Sequence, residues 1–422
     1  MVPKLRFENY FDNWFSNKLS DLAVDNKLSN GVFNDPLNVG SGYKLINVVN
    51  MYKEPCIDEN DLSLLNLDEK TFRKNQVFFG DLFFTRSSLV KEGIAWSNIY
   101  LGHSEDVTFD GHLIKLTPDL KKTNPKFLYF CLKTSSVRKQ LIESGKTATM
   151  TTIGQSDVGK TLAFIPQLEE QTKIADFLSS VDERIILLNK QYGLLCHYKK
   201  GMIQKIFSQE LRFKDENGEE FPEWEEKKLI ESVDTTIQWG FVGGPFGSNL
   251  KSEEYTDSGI RIIQLQNIGD GEFLNNNKIY TSLEKADQLL NCNIYPNDIL
   301  ISKMGDPVAR CCIVPDDNKR YVMCSDGIRL VVDKKNYSYI FMFYQINHQD
   351  FRQCAFDVST GSTRRRIGLS ELKQLPIKVP CLEEQTKIAN FLSALDDKIA
   401  VKKAELDKLK TWKQGLLQQM FI

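Results

Sequence analysis

Several kinds of chemistry are excluded by what this 422-residue sequence lacks. Its nine cysteines are scattered, with no Cys-x-x-Cys and one adjacent pair, Cys311-Cys312. Neither a disulfide framework nor a zinc site is suggested, and reduced, buried thiols are expected. The four histidines (His103, His112, His197, His348) fall in unrelated contexts, so no His-Glu-x-x-His or Ser/His/Asp arrangement can be assembled. A catalytic nucleophile and a metal site are therefore not expected. No apolar run approaches the roughly 18 residues of a membrane span, and MVPKLRFENY at the start has no apolar core of a secretion signal. A cytoplasmic protein with no membrane partner is the expectation. An excess of one charge is missing too: 54 Lys+Arg face 56 Asp+Glu, so any basic binding face must be local.

What the sequence does contain is itself, twice. PQLEEQTKIADFLS at 166–179 returns as PCLEEQTKIANFLS at 380–393, an offset of 214 residues (380 − 166). The offset holds without a gap to Phe207 and Phe421. Upstream the copies have diverged but stay in step. LRF at 5–7 returns at 211–213, SGYKLINVVN at 41–50 aligns with SGIRIIQLQN at 258–267, and GDLFFTR at 80–86 aligns with NDILISK at 297–303. Each half is a variable globular stretch followed by a near-identical stretch of about 40 residues.

The repeat disposes of a tempting motif. GQSDVGKT at 154–161 fits the phosphate loop G-x-x-x-x-G-K-[ST], but the second copy reads GLSELKQL and loses Gly159, Lys160 and Thr161. Only LAFI separates the match from Pro166, which leaves no room for the long helix a phosphate loop needs. The match is accidental.

Within the conserved stretches the apolar residues step by four and three. The first gives Ile174, Leu178, Val181 and Ile185; the second gives Ile388, Leu392, Leu395 and Ile399. This is a coiled-coil seam, interrupted by Lys199 in one copy and by Lys402 and Lys413 in the other. A single helix packed on its own domain gives the same pattern. At 1.5 Å per residue, however, each helix would run about 60 Å, longer than a domain is wide. Antiparallel pairing of the two helices, with the globular parts at opposite ends, is therefore expected. β-like runs such as YKLINVV and DILISK alternate with short helical patterns such as KFLYFCLKTSSVRKQLI. The fold class is accordingly α+β: two mixed α/β domains separated by two long antiparallel coiled-coil helices in a pseudo-twofold repeat. The segments are 1–165, 166–208, 209–379 and 380–422.

This layout resembles the specificity subunit of type I restriction–modification systems. The carrying residues are P-x-LEEQTKIA-x-FLS in both copies, the pairs Asp182/Arg184 and Asp396/Lys398, GPFGSNLK at 244–251, and an element closing each variable stretch between Gly145 and Gly154 and between Gly361 and Gly368. The resemblance covers essentially the whole chain. One departure is SNGVFNDP at 29–36, where the second half has GGPFGSNL. The resemblance implies that each variable stretch is a target recognition domain reading one half of a bipartite double-stranded DNA target. It implies that the helices act as a ruler and dock two modification methyltransferase subunits, with restriction/translocase subunits joining the full complex. It also implies that the chain is non-catalytic and holds no cofactor: S-adenosylmethionine, ATP and Mg²⁺ belong to the partners. The absence of any Pro-Pro dipeptide agrees, since adenine methyltransferases carry Asn/Asp-Pro-Pro-Tyr/Phe.

Candidate DNA contacts follow from chemistry at matched positions. Arg364, Arg365 and Arg366, after Thr363, stand in the second closing element; the first carries Lys146, Thr149 and Thr151. Arginine suits bidentate contacts to guanine or phosphate, and threonine can donate to phosphate or meet a thymine methyl. A solvated basic turn is the competing reading. Arg86 and Lys303 end the aligned strand-like runs, where each either meets phosphate or covers a strand end. Gly247, Ser248, Asn249 and Lys251, in GPFGSNLK, allow backbone N–H groups near phosphate or build a turn. Asn50 and Asn267 are aligned, as weaker DNA candidates or turn caps.

Overall fold

The computed structural model describes residues 2–33, 38–245, 247–362 and 364–422. It contains two compact units, Met1–Gln191 with Lys402–Ile422 and Tyr192–Val401. The units cut across the four sequence segments because each contains part of both long helices. Among the described residues no helix is long and apolar enough to cross a membrane.

In the first unit, Phe15–Lys18 pairs antiparallel with Leu162–Ile165 and so joins the two ends of the globular part, or head. A four-stranded antiparallel sheet follows in the order Ala23–Asn30, Leu113–Pro118, Leu82–Thr85, Ser97–Ile99. Leu82–Thr85 is the LFFT run and is buried on both faces, as a continuous apolar strand requires. A second sheet orders Ser63–Leu65, Val39–Ile46 and Val107–Phe109, the last two strands parallel. The expected helical run divides into Pro125–Leu132 and Ser135–Ser144. Asn124 starts the former by accepting from the amides of Lys126 and Phe127, with Pro125 supplying the first helical φ.

The second head repeats this plan. Glu225–Lys228 pairs with Pro376–Val379, and a four-stranded sheet orders Phe241–Gly243, Gly327–Leu330, Ile299–Ser302, Cys311–Ile313. Here too a second sheet holds one parallel pair, Ile260–Ile263 with Tyr321–Met323. A buried ion pair crosses the same two strands in each head: Lys115 to Asp81 at 3.4 Å, and Arg329 to Asp298 at 2.7 Å.

The conserved stretches form helices Leu168–Phe207 (central) and Leu382–Gln419 (terminal). Their shared LEEQ opening fixes each to its head. Glu170 takes two hydrogen bonds of 2.7 Å from Arg6, and Glu384 is held the same way by Arg212. The next side chain, Gln171, accepts from Thr123 and from the Asn124 amide while donating to the Lys122 and Pro166 carbonyls. Gln385 accepts from the Ser338 amide and donates to Asn336 and Pro380. All four acid and amide side chains are buried, so the second Glu is an anchor rather than a charge displayed at a helix start.

The seam is used twice over. Ile174, Leu178 and Val181 enter the core of the first head, and so do Leu416 near the end of the terminal helix and Met420 and Phe421 just after it. Ile185 is partly buried at the edge of that core. In the second unit Ile388, Leu392 and Leu395 share a core with Ile206 and Phe207, and Ile399 is half-buried. Packing on the head and antiparallel pairing are thus both present. Two of the lysines that interrupt the seam have partners across it. Lys413 meets Asp182 at 2.5 Å, and Lys199 meets Asp396. With an offset of 214, each pair is the other with the two helices exchanged. The third, Lys402, pairs along its own helix with Glu405 at 2.8 Å.

Candidate nucleic-acid interface

Arg86 and Lys303 occupy equivalent points where the buried central strand of each head ends. The Arg86 amide donates to the His112 carbonyl and its Nη1 to that of Gly111 at 3.1 Å. The Lys303 amide donates to Asp326 and its Nζ to Ser325 at 3.1 Å. Each cation therefore holds a neighbouring turn by its backbone, and part of its donor capacity is already used. Burial pushes the Lys303 amine below the ordinary lysine value, Asp326 opposes this, and Arg366 reinforces it.

The closing element of each half lies against the same point. The Ile153 amide donates to the Arg86 carbonyl, and the Ile367 amide to that of Lys303. In the first head this element is a small hairpin, Lys146–Thr147 with Thr151–Thr152, which continues onto Ser87–Ser88. Lys146 and Thr149 are exposed, with Lys146 4.0 Å from Asp157. Thr151 is a correction: it is buried and its hydroxyl is bonded to that of Thr147, so it stabilises the hairpin rather than facing out. In the second head Thr360 and Arg366 exchange backbone hydrogen bonds around the tip.

The three arginines have separate roles. Arg364 is exposed and forms no ion pair among the described residues. Arg365 lies 3.6 Å above the Phe356 ring and donates to the Phe356 carbonyl, a local stack that engages part of its guanidinium. Arg366 is paired with Asp326 at 2.6 Å but keeps much of its side chain exposed. Thr363 and the side chain of Ser248 lie outside the described residues, as do positions 34–37.

The glycine loops arrive at the same edge, and the structure resolves how they correspond. Asn30 pairs with Ile114 as Gly243 pairs with Ile328, so Gly31 is the counterpart of Gly244. A Cβ on Gly31 would lie 2.0 Å from the Phe109 carbonyl oxygen, and one on Gly244 1.7 Å from that of Cys324. A backbone crossing in each head thus admits glycine alone. Nothing lies within 4 Å of where a Cβ on Gly247 would sit, so that glycine is not sterically required. Gly247–Asn249 form a short 3₁₀ turn, and Lys251 follows, exposed. The sequence placed Gly244 in GPFGSNLK and Gly31 in SNGVFNDP without matching the two, because one glycine in a diverged loop gives no register; only strand pairing does.

Asn50 and Asn267 prove to be turn builders. Each is buried and accepts from the amide three residues earlier. In GQSDVGKT the helix is the six residues Gln155–Lys160, and Val158 and Gly159 are packed inward, so no phosphate cradle is formed. Among the described residues no group of three or more His, Cys, Asp or Glu side chains is placed to hold a metal ion. What the bonds above bring together in each head is a cation, the closing element and a glycine loop, groups suited to an anionic, grooved ligand.

Comparison with known proteins agrees with this architecture. A family model described as "Type I restriction modification DNA specificity domain" matches residues 43–193 and 249–411, once in each half. Two specificity subunits of type I restriction enzymes from Methanocaldococcus jannaschii are similar over most of their length. MjaX, provisionally named, is 26% identical and covers 96% of this chain and 92% of its own. MjaVIII is 25% identical and covers 90% and 82%. The crystal structure of the S subunit of the type I restriction–modification system of M. genitalium superposes with a TM-score of 0.60 at 17% identity, covering 100% of this chain and 99% of that one. A chain from a structure described as showing complex assembly and conformational transition of the type I R-M system gives 0.57 at 16% identity, covering 97% of each chain. At such identities these two neighbours speak for the fold alone. The chain belongs to the family of type I restriction–modification specificity subunits.

Proposed function

We propose that each head reads one half of a bipartite duplex target, that the paired helices set the gap between the halves, and that the chain carries no catalytic residue of its own. Arg364, Arg366, Lys303 and the 247–251 turn supply the contacts of the second head; Arg86, Lys146 and Thr149 supply those of the first. Phosphate contacts fix position and groove contacts choose sequence. The observation that carries the reading is the exchange symmetry of Asp182–Lys413 and Lys199–Asp396, which marks the two helices as one duplicated, antiparallel device.

The same symmetry supports docking of two copies of a modification methyltransferase. Leu187 and Val401 are equivalent and 57% and 64% exposed; Tyr198 and Trp412 are equivalent and 51% and 49% exposed. A partner able to cover one apolar site should cover its copy. S-adenosylmethionine, ATP and Mg²⁺ then serve the partner subunits, with restriction/translocase subunits completing the assembly.

The test is to remove the same two turns, roughly seven residues, from the middle of both helices, which shortens each by about 10 Å. At about 3.4 Å per base pair the unspecified gap should shrink by roughly three base pairs with both half-sites intact. Sequencing the methylated motif in cells that also express the modification subunit reads this out. Altered half-sites with an unaltered gap would refute the ruler.

A further inference from the structure

One braced turn recurs in both heads at the edge where the loops converge, and its outermost residue differs. In the first head it runs from Asn47 to Asn50. Asn50 accepts from the Asn47 amide at 2.9 Å and donates to the Asp61 carbonyl at 3.0 Å. In the second it runs from Gln264 to Asn267, where Asn267 accepts from the Gln264 amide at 2.9 Å and donates to the carbonyls of Leu274 and Asn276. The brace is buried in both heads, so the third residue is held out on a fixed backbone. That residue is Val49, 68% exposed, in one head and Gln266, also exposed, in the other.

The turn adjoins the candidate contacts through a short chain of bonds. In the second head the Cys324 amide donates to the Ile263 carbonyl, and Lys303 holds the turn at Ser325 and Asp326. Arg310 bridges the carbonyls of Leu265, Ile268 and Met304, and Met304 pairs with Arg366. In the first head the Asp110 amide donates to the Ile46 carbonyl in the same way. Gln266 is further oriented by donating to the side-chain oxygen of Gln264 at 2.8 Å, which leaves its own oxygen and one N–H unused by that bond.

We propose that this position chooses bases: Gln266 reads an adenine through its amide, and Val49 meets a thymine methyl. A glutamine amide matches the N6 donor and N7 acceptor of adenine in the major groove, and an apolar side chain matches the C5 methyl of thymine. A fixed scaffold with a changeable tip is what a half-site reader needs. The inference rests on the split-site reading above.

The test sequences the methylated motif in cells expressing the full chain with its modification subunit, unaltered and as Gln266→Ala, Gln266→Glu and Val49→Ala. Gln266→Ala should relax one A·T position in one half-site, with discrimination there falling about tenfold. The other half-site and the gap should stay as they were. Gln266→Glu should move that position towards cytosine, whose N4 donor suits a carboxylate; a new preference cannot arise from misfolding. Val49→Ala should relax a thymine in the other half-site. An unchanged motif in all three overturns the assignment. So does a Gln266→Ala chain that melts normally and directs no methylation. A continuous motif from the unaltered chain would instead overturn the two-half-site reading.

Discussion

Replacing Lys413 by Met removes the partner of Asp182 at the point where the terminal helix crosses the central one. The two side chains retain 11% (Asp182) and 18% (Lys413) exposure, and burial already raises the Asp182 carboxyl above the usual carboxylate value against the pull of Lys413. An uncompensated buried charge costs about 3–5 kcal/mol, and the residual exposure here brings the expected cost to about 2–3 kcal/mol. For a unit of this size that lowers the melting midpoint by about 5–10 °C. Asp182→Asn together with Lys413→Met should recover most of the loss, because no charge is then left unpaired. The single variant should also gain on wild type as pH falls. Its Asp182 has a folded pKa above the unfolded one, so the folded state binds the proton more tightly and is favoured on acidification. The exchanged pair is a built-in comparison: Asp396 is 43% exposed and also accepts from the Tyr344 hydroxyl, so Lys199→Met should cost about 1 kcal/mol or less. Thermal unfolding of the four chains of the Asp182/Lys413 cycle measures the coupling. A coupling below about 0.5 kcal/mol would refute the claim that this pair fastens the helices.

Two further outcomes are expected. Arg364→Ala should weaken DNA binding and reduce the slope of log K against log salt by about 0.9, one phosphate contact, whereas Arg365→Ala should leave the slope alone; equal slopes in all three chains would remove Arg364 from the interface. Burial lowers the His348 pKa, the ring stacks on Phe207 and its Nε2 has no hydrogen-bond partner among the described residues, while Asp350 at 3.7 Å opposes the shift without reversing it. The unfolded chain therefore takes up the proton first, and stability should fall as pH drops below about 6.5, the ordinary histidine value. Melting at pH 7.5 and 5.5 should show a smaller loss in His348→Asn; an identical loss would acquit this residue.

The parts of the fold that were legible are those written in local periodicity or in repetition. The four-and-three spacing from Ile174 to Ile185 and from Ile388 to Ile399 announced helices with one apolar face, and repetition matched Arg86 with Lys303. The illegible parts need a partner far along the chain. Lys199 and Lys413 read as flaws in a seam because the acids that meet them are about 200 residues away in sequence. Thr151 stood among the candidate DNA contacts because nothing local says which side of a short hairpin faces inward. Of the two readings open for Asn50 and Asn267, DNA contact or turn cap, the structure selects the cap, and the exposed neighbour is the more informative position.

By itself the sequence determined that this protein is a duplicated α+β chain with two long amphipathic helices and two diverged heads, since periodicity and repetition act over a few residues or by simple copying. Tertiary structure alone decided which charges meet across the helices, which glycines a backbone crossing forbids to change, and which loop tips are left facing outward. Those depend on register, and register is set by the packing of whole strands and helices against one another rather than by any residue's own preference.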